Sequence, residues 1–142
     1  MKDILVKDIM STHLVTLSPY DTLLTAKKYF DKEKIHHIPI IYEEKLIGIL
    51  SNTDLERSKH GKTLFIDHNR EKHNETILQG TLISMVMTDI VETVTSSDTI
   101  FKVYKIFKEH QFRSLPVLEN GDLVGIVTPM DFLDYFFNIN EK

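Results

Sequence analysis

No cysteine occurs in these 142 residues, which excludes a disulfide framework, thiol nucleophiles, CxxC redox chemistry and thiolate metal sites, and suits a reducing compartment. Tryptophan is absent too. Nor is there a surplus of positive charge. Against 17 lysines and arginines stand 21 aspartates and glutamates, a net charge of -4 with histidines neutral, so no global basic field holds nucleic acid or an anionic membrane. No nucleic-acid partner is expected. Long apolar runs are missing: the first ten residues mix charged with apolar side chains and lack a signal-peptide core, and no later run reaches membrane-spanning length. A cytoplasmic protein without a membrane partner is expected. What is present, 42% apolar and 27% charged side chains, is the composition of a compact domain and excludes wholesale disorder.

The chain repeats itself. Residues 5–58 align without a gap on residues 82–135 at a constant offset of 77, and 12 of the 54 pairs are identical, among them Met10/Met87, Thr16/Thr93, Asp21/Asp98, Pro39/Pro116, Gly48/Gly125 and Asp54/Asp131. Ser11/Thr88, Ile38/Leu115, Leu50/Val127 and Ser51/Thr128 exchange like for like. Two copies at so long a period read as a fused pair of like units, not an extendable array. The expected organisation is a first repeat at 1–58, a surface linker at 59–81 with partial helix or disorder, and a second repeat at 82–142.

Each copy opens with a short extended piece, at residues 16 and 17 in the first, and then shows a helical pattern, from about residue 22 to 33. In the second copy Ile100, Val103, Tyr104 and Phe107 fall at i, i+3, i+4 and i+7, one helix face. Two β-rich runs follow, Ile38 to Tyr42 and Leu46 to Leu50, then Leu115 to Leu118 and Leu123 to Val127. Asn120-Gly121 supplies the positive φ of a tight hairpin turn; Glu43-Glu44 does not, so the first copy is expected to turn differently or more loosely. A last helix closes each copy. The order is β-α-β-β-α, an α+β (mixed α/β) fold. Because the hairpin runs are apolar at consecutive positions, both sheet faces need cover, and a 54-residue unit is marginal alone. The two copies are therefore expected to pack sheet to sheet about a pseudo-twofold axis, with clefts along the seam.

Ser51-Asn52-Thr53-Asp54 and Thr128-Pro129-Met130-Asp131 place a hydroxyl and a carboxylate three residues apart where the last helix begins. This is the spacing of a capping box, with Pro129 suited to the first helical position, and it recurs as Ser18-Pro19-Tyr20-Asp21 and Thr95-Ser96-Ser97-Asp98. A helix N-terminus beside a cleft also offers free N–H groups and a positive dipole end to phosphate, and a carboxylate can accept both hydroxyls of a ribose.

These residues resemble the paired cystathionine-β-synthase (CBS) domains that form a Bateman module. The resemblance rests on Val6-Lys7-Asp8-Ile9-Met10, Thr16, Thr22-Leu23, Ile35-His36-His37-Ile38-Pro39-Ile40 and Gly48-Ile49-Leu50-Ser51 with Asp54-Leu55, and on their second-copy equivalents, which include Phe112-Arg113-Ser114-Leu115-Pro116-Val117. It covers 108 of 142 residues. It implies a non-catalytic regulatory module binding an adenosine-containing ligand, AMP, ADP, ATP or S-adenosylmethionine, in clefts built crosswise from both copies, with no required cofactor. The first cleft would use Asp54 for ribose and Ser51 for phosphate, with Thr93 and Phe112-Arg113-Ser114 around the base and Arg113 facing phosphate. The second would use Asp131 and Thr128 with Thr16 and Ile35-His36-His37. Arginine grips phosphate bidentately and permanently while histidine is mostly neutral, so the two clefts should differ toward polyphosphates. The resemblance also implies a disk-like homodimer of modules and an unidentified regulated protein.

Other readings are blander. Consecutive His36 and His37 in a strand point to opposite faces and cannot easily share an ion; His60, His68 and His73 lack the i, i+4 spacing of a helical metal pair; no metal site is expected. Met10 and Met87 are expected to fill core gaps near the seam between the copies. Phe132, Tyr135, Phe136 and Phe137 exceed what one side of a short helix buries, and could dock on a second module. No Walker-type loop or nucleophilic cysteine favours an enzyme. The alternative to a nucleotide sensor is a ligand-free interaction scaffold in which Asp54 and Asp131 serve only as caps.

Overall fold

The computed structural model describes residues 4–60, 70–90 and 92–138. Residues 61–69 of the expected linker lie outside them, among them its short apolar run Leu64-Phe65-Ile66 with Asp67 and His68. In chain order the elements are α1 (Val6–Ile9), α2 (Leu23–Glu33), β1 (His37–Tyr42), β2 (Lys45–Ser51), α3 (Asn52–His60), α4 (Arg70–Gln79), a 3-10 turn (Ile83–Met85), β3 (Thr88–Asp89), β4 (Val94–Thr95), α5 (Ile100–Glu109), β5 (Leu115–Glu119), β6 (Asp122–Val127) and α6 (Pro129–Asn138). They form two compact units, Val15–Ile90 and Met1–Leu14 with Val91–Lys142. The units do not follow the repeats. Each takes the leading segment of the other repeat: residues 82–90 complete the first unit and residues 4–14 the second.

In the first unit β1, β2 and β3 form an antiparallel sheet in that order, and Leu17 bridges Ile40 in parallel on the other edge. Helix α2 starts where the Thr22 hydroxyl accepts the Thr25 N–H, and buries Leu23, Ala26 and Phe30, spaced i, i+3 and i+7, against Ile38, Ile40 and Leu50. The second unit repeats the plan. There β4 pairs with β5 in parallel, β5 pairs with β6 antiparallel, and Ser11 takes the edge beside Ile126. Its core gathers Val6, Val94, Val103, Leu115, Val117 and Val127.

Three expectations change. The linker is not all surface: α4 lies against α2 and α3, and Leu78 is buried in the first core beside Leu55. The supposed single face of α5 divides, because Ile100 and Val103 are buried while Tyr104 is 47% exposed. The first hairpin turns as tightly as the second. Tyr42 pairs with Lys45 across Glu43-Glu44 just as Glu119 pairs with Asp122 across Asn120-Gly121, with φ of 50° and 66° at the glutamates and 52° and 86° at Asn120 and Gly121. Strand twist selects a two-residue turn with positive φ, and the ladder imposes it on residues that disfavour it. Replacing Glu43-Glu44 by Asn-Gly is therefore expected to stabilise the protein by about 1–2 kcal/mol, read as a higher urea midpoint at unchanged slope.

Candidate functional site

The last helix of each unit opens on a closed reciprocal cap. In the first unit the Ser51 N–H donates to Asp54 Oδ2 at 3.2 Å and the Asp54 N–H to Ser51 Oγ at 3.0 Å. In the second the Thr128 N–H donates to Asp131 Oδ2 at 2.8 Å and the Asp131 N–H to Thr128 Oγ1 at 3.3 Å. Each hydroxyl and carboxylate thus satisfies donors that a helix start leaves open. The similar spacings upstream work differently. Asp21 and Asp98 accept the Ser18 and Thr95 N–H groups at 2.8 Å each, but the caps of α2 and α5 are Thr22 and Thr99, so those spacings shape turns ahead of the helices.

The second carboxylate oxygens distinguish the two starts. Asp54 Oδ1 lies 3.7 Å from Nη1 of the largely exposed Arg57, a weak surface pair. Asp131 Oδ1 accepts the Ser11 hydroxyl at 3.2 Å. Burial pushes the Asp131 carboxyl above its usual range, opposed by bonds from Thr128 and Ser11 and assisted by the negative charge of Asp134. Beside Asp131 the second unit has a cavity of about 310 Å³, with Asp8, Met10, Asp134 and Tyr135 also in its walls. Ser11 was not singled out from sequence as a site residue; the signal was its like-for-like partner Thr88 in the duplication.

Within the first unit the His36 carbonyl accepts the Asn52 N–H at 3.0 Å and His37 stands opposite Ser51 in the ladder. The segment before the hairpin is thus tied to the start of α3. Ile35 packs against the core, while His36 and Thr16 are exposed. Within the second unit Phe112 packs against the core and its ring stands 5.3 Å from that of His110, Arg113 is exposed, and Ser114 and Thr93 are half-buried. The first unit therefore brings its own pre-hairpin segment to its own capped helix. The crosswise partners of the sequence reading, Asp54 with Arg113 and Asp131 with His36-His37, come from different units. Among the described residues no group of three or more His, Asp or Glu could hold a metal ion, and no helix is long and apolar enough to cross a membrane.

Met10 and Met87 serve their cores as expected of methionine, each packed on the unit that its own repeat does not otherwise build. A duplicated β-α-β-β-α plan with exchanged leading segments and a capped hydroxyl–carboxylate start on each closing helix defines a tandem-repeat module. The CBS domain profile matches residues 6–61 and 83–138. The chain belongs to the CBS domain family. A CBS domain-containing protein of Dictyostelium discoideum is 29% identical over 140 residues, 97% of this chain and 94% of that protein. The match to an inosine-5'-monophosphate dehydrogenase of Korarchaeum cryptofilum, 28% identical, covers 83% of this chain and only 21% of that enzyme. Among solved structures, the CBS domain of a membrane protein from Sphaerobacter thermophilus is similar at a TM-score of 0.80 and 25% identity, over 94% of this chain and 88% of that one. A CBS domain pair in complex with 5'-methylthioadenosine and S-adenosyl-L-methionine is similar at 0.73 and 26% identity, over 96% and 98%.

Proposed function

We propose that this chain is a non-catalytic regulatory module that binds an adenosine-containing small molecule, AMP, ADP, ATP or S-adenosylmethionine, in the cytoplasm, and passes occupancy to a second copy or to a regulated protein. The observation that carries the reading is the pair of hydroxyl–carboxylate helix starts, supported by the similar CBS pair that holds two adenosine compounds. A carboxylate there accepts ribose hydroxyls, the adjoining N–H groups and the Ser51 or Thr128 hydroxyl suit phosphate, and Arg113 offers a permanent cation, His36 or His37 an imidazole, to the phosphate of a nucleotide. A bound ligand shifts the conformation of its module only through different affinity for two states.

A thermal-shift panel of AMP, ADP, ATP, S-adenosylmethionine, NAD and cyclic dinucleotides is the test, because a ligand selective for the folded state raises the melting temperature. At least one adenosine compound is expected to do so without being turned over. Asp54→Asn and Arg113→Gln should each weaken it about tenfold or more. The completeness of both caps favours one competing reading, the ligand-free scaffold. Silence across the panel, with Asp54→Ala costing stability alone, establishes that scaffold instead.

A further inference from the structure

Helix α4 lies against α2 and α3 and leaves among them a cavity of about 460 Å³, within the roughly 300–1,000 Å³ of small-molecule sites. Its walls are sorted by charge. Helix α2 contributes Lys27 and Lys28, and Lys59 near the end of α3 adds a third ammonium. Helix α4 contributes the amide of Asn74 and the carboxylate of Glu75. The rest of the lining is apolar: Leu78 is buried in the first core and Leu24 packs against it. Two of the three cations are engaged. Lys27 Nζ donates to Asp31 Oδ2 at 2.7 Å and Lys59 Nζ to Glu56 Oε1 at 2.9 Å. Lys27 stays protonated above the usual lysine range chiefly through that bond to Asp31, against burial, with the charges of Asp31, Glu56 and Glu75 adding to it. Lys28 has no ion pair among the described residues. Asn74 Oδ1 is buried without a hydrogen-bond partner among them, which costs the desolvation of an acceptor with no return. The amide torsion is soft, so turning the oxygen to a donor in the cavity recovers that cost.

We propose that this cavity binds a free α-amino acid with an apolar side chain, its carboxylate held by Lys28 with Lys27 and Lys59 beside it, its ammonium by Asn74 Oδ1 and Glu75, and its side chain by Leu24 and Leu78. The charge pattern selects a zwitterion. A simple anion such as phosphate would meet the lysines but offer Asn74 Oδ1 and Glu75 only negative charge, and a simple amine would satisfy those two and repel Lys28. The cavity is no product of the repeated plan. At the offset of 77, Leu24, Lys27 and Lys59 become Phe101, Tyr104 and Phe136, and only Lys28 keeps its charge, as Lys105; Asn74, Glu75 and Leu78 belong to the segment between the copies. All seven residues lie within the first unit, and neither Ser51 nor Asp54 is among them, so the inference goes beyond the nucleotide reading and does not rest on it. Because α2 holds one end of the ligand and α4 the other, occupancy ties the linker helix to the repeat it covers.

Isothermal titration of the full chain with leucine, methionine, valine and phenylalanine, each to about 10 mM, tests the site. Saturable binding of at least one, with Kd below about 1 mM, is expected. The amide and the N-acetyl derivative of the best binder each lack one charged end and should bind about tenfold more weakly or worse. Lys28→Gln, at an exposed position, should weaken binding about tenfold, as should Asn74→Ala. Without ligand, Asn74→Ala should leave the urea midpoint unchanged or raised, since it removes an unpaired buried acceptor and alanine favours a helix. Lys105→Gln, the equivalent of Lys28 in the second repeat, should leave the affinity unchanged. Binding by none of the four, a derivative or inorganic phosphate that binds as well as the amino acid, an affinity indifferent to Lys28→Gln and Asn74→Ala, or a destabilised Asn74→Ala overturns the proposal. A melting shift with an adenosine compound but no amino-acid binding sinks this site alone, and the reverse sinks only the nucleotide reading.

Discussion

Leu78→Ala is expected to lower the unfolding free energy by about 2–4 kcal/mol, the usual cost of a buried leucine truncated to alanine, whereas Gln79→Ala, at an exposed neighbour, should change it by less than about 0.5 kcal/mol. Leu78 is 1% exposed and belongs to the cluster of Leu23, Phe30 and Leu55. Its removal leaves a cavity among side chains already fixed by α2 and the sheet, which collapse only in part. The backbone adds to the constraint. The Thr81 carbonyl accepts the Leu23 N–H at 2.9 Å, satisfying a donor at the first residue of α2, and the Thr81 hydroxyl donates to the Ile77 carbonyl at 2.7 Å. The chain leaving α4 is thus tied to the helix that α4 covers. Urea unfolding monitored by circular dichroism separates the alternatives: equal midpoints for the two variants would mean that Leu78 behaves as a residue of a solvated linker.

Much of the fold was legible because a gapless duplication carries its own control. Hairpin runs and helix starts recur in both copies, and the observed strands extend the expected ones by only one residue at an end, as at His37, Lys45 and Glu119. What stayed hidden depends on tertiary placement. Residues 10–11 and 87–88 align as leaders of their own repeats, yet alignment reports likeness of sequence, not which sheet a segment joins. Helix α4 shows little amphipathic pattern, since Ile77 and Leu78 alone supply its apolar side, so composition pointed to solvent. Glu43-Glu44 gave no turn signal because pairing of the strands, not local preference, sets its φ values. At the site, Ser51–Asp54 and Thr128–Asp131 were readable as caps from spacing alone. The Ser11 hydroxyl on Asp131 joins residues 120 apart and has no spacing to announce it.

The exchange of leaders gives the second large effect, because it explains why Gly48 and Gly125 are identical in the two copies. A Cβ on Gly48 would meet Met87 Sδ at 2.7 Å and the Thr88 carbonyl oxygen at 3.0 Å; one on Gly125 would meet Met10 Sδ at 2.7 Å and the Ser11 carbonyl oxygen at 3.0 Å. The methionine can swing aside, but the carbonyls are held by the sheet edge. Gly48 pairs with Asp89, and Ser11 exchanges both backbone bonds with Ile126 at 2.9 Å and 3.0 Å. Gly48→Ala and Gly125→Ala should each therefore destabilise by about 1–3 kcal/mol, the range for overfilling a close-packed site. Coupling decides the cause. Met87→Ala should relieve Gly48→Ala, and Met10→Ala should relieve Gly125→Ala, each by about 1 kcal/mol in a double-mutant cycle, while the same-repeat pairs Gly48 with Met10 and Gly125 with Met87 should be additive. Coupling confined to the same-repeat pairs would mean that each repeat keeps its own leader, and then the third sheet edge of both units would have to be rebuilt.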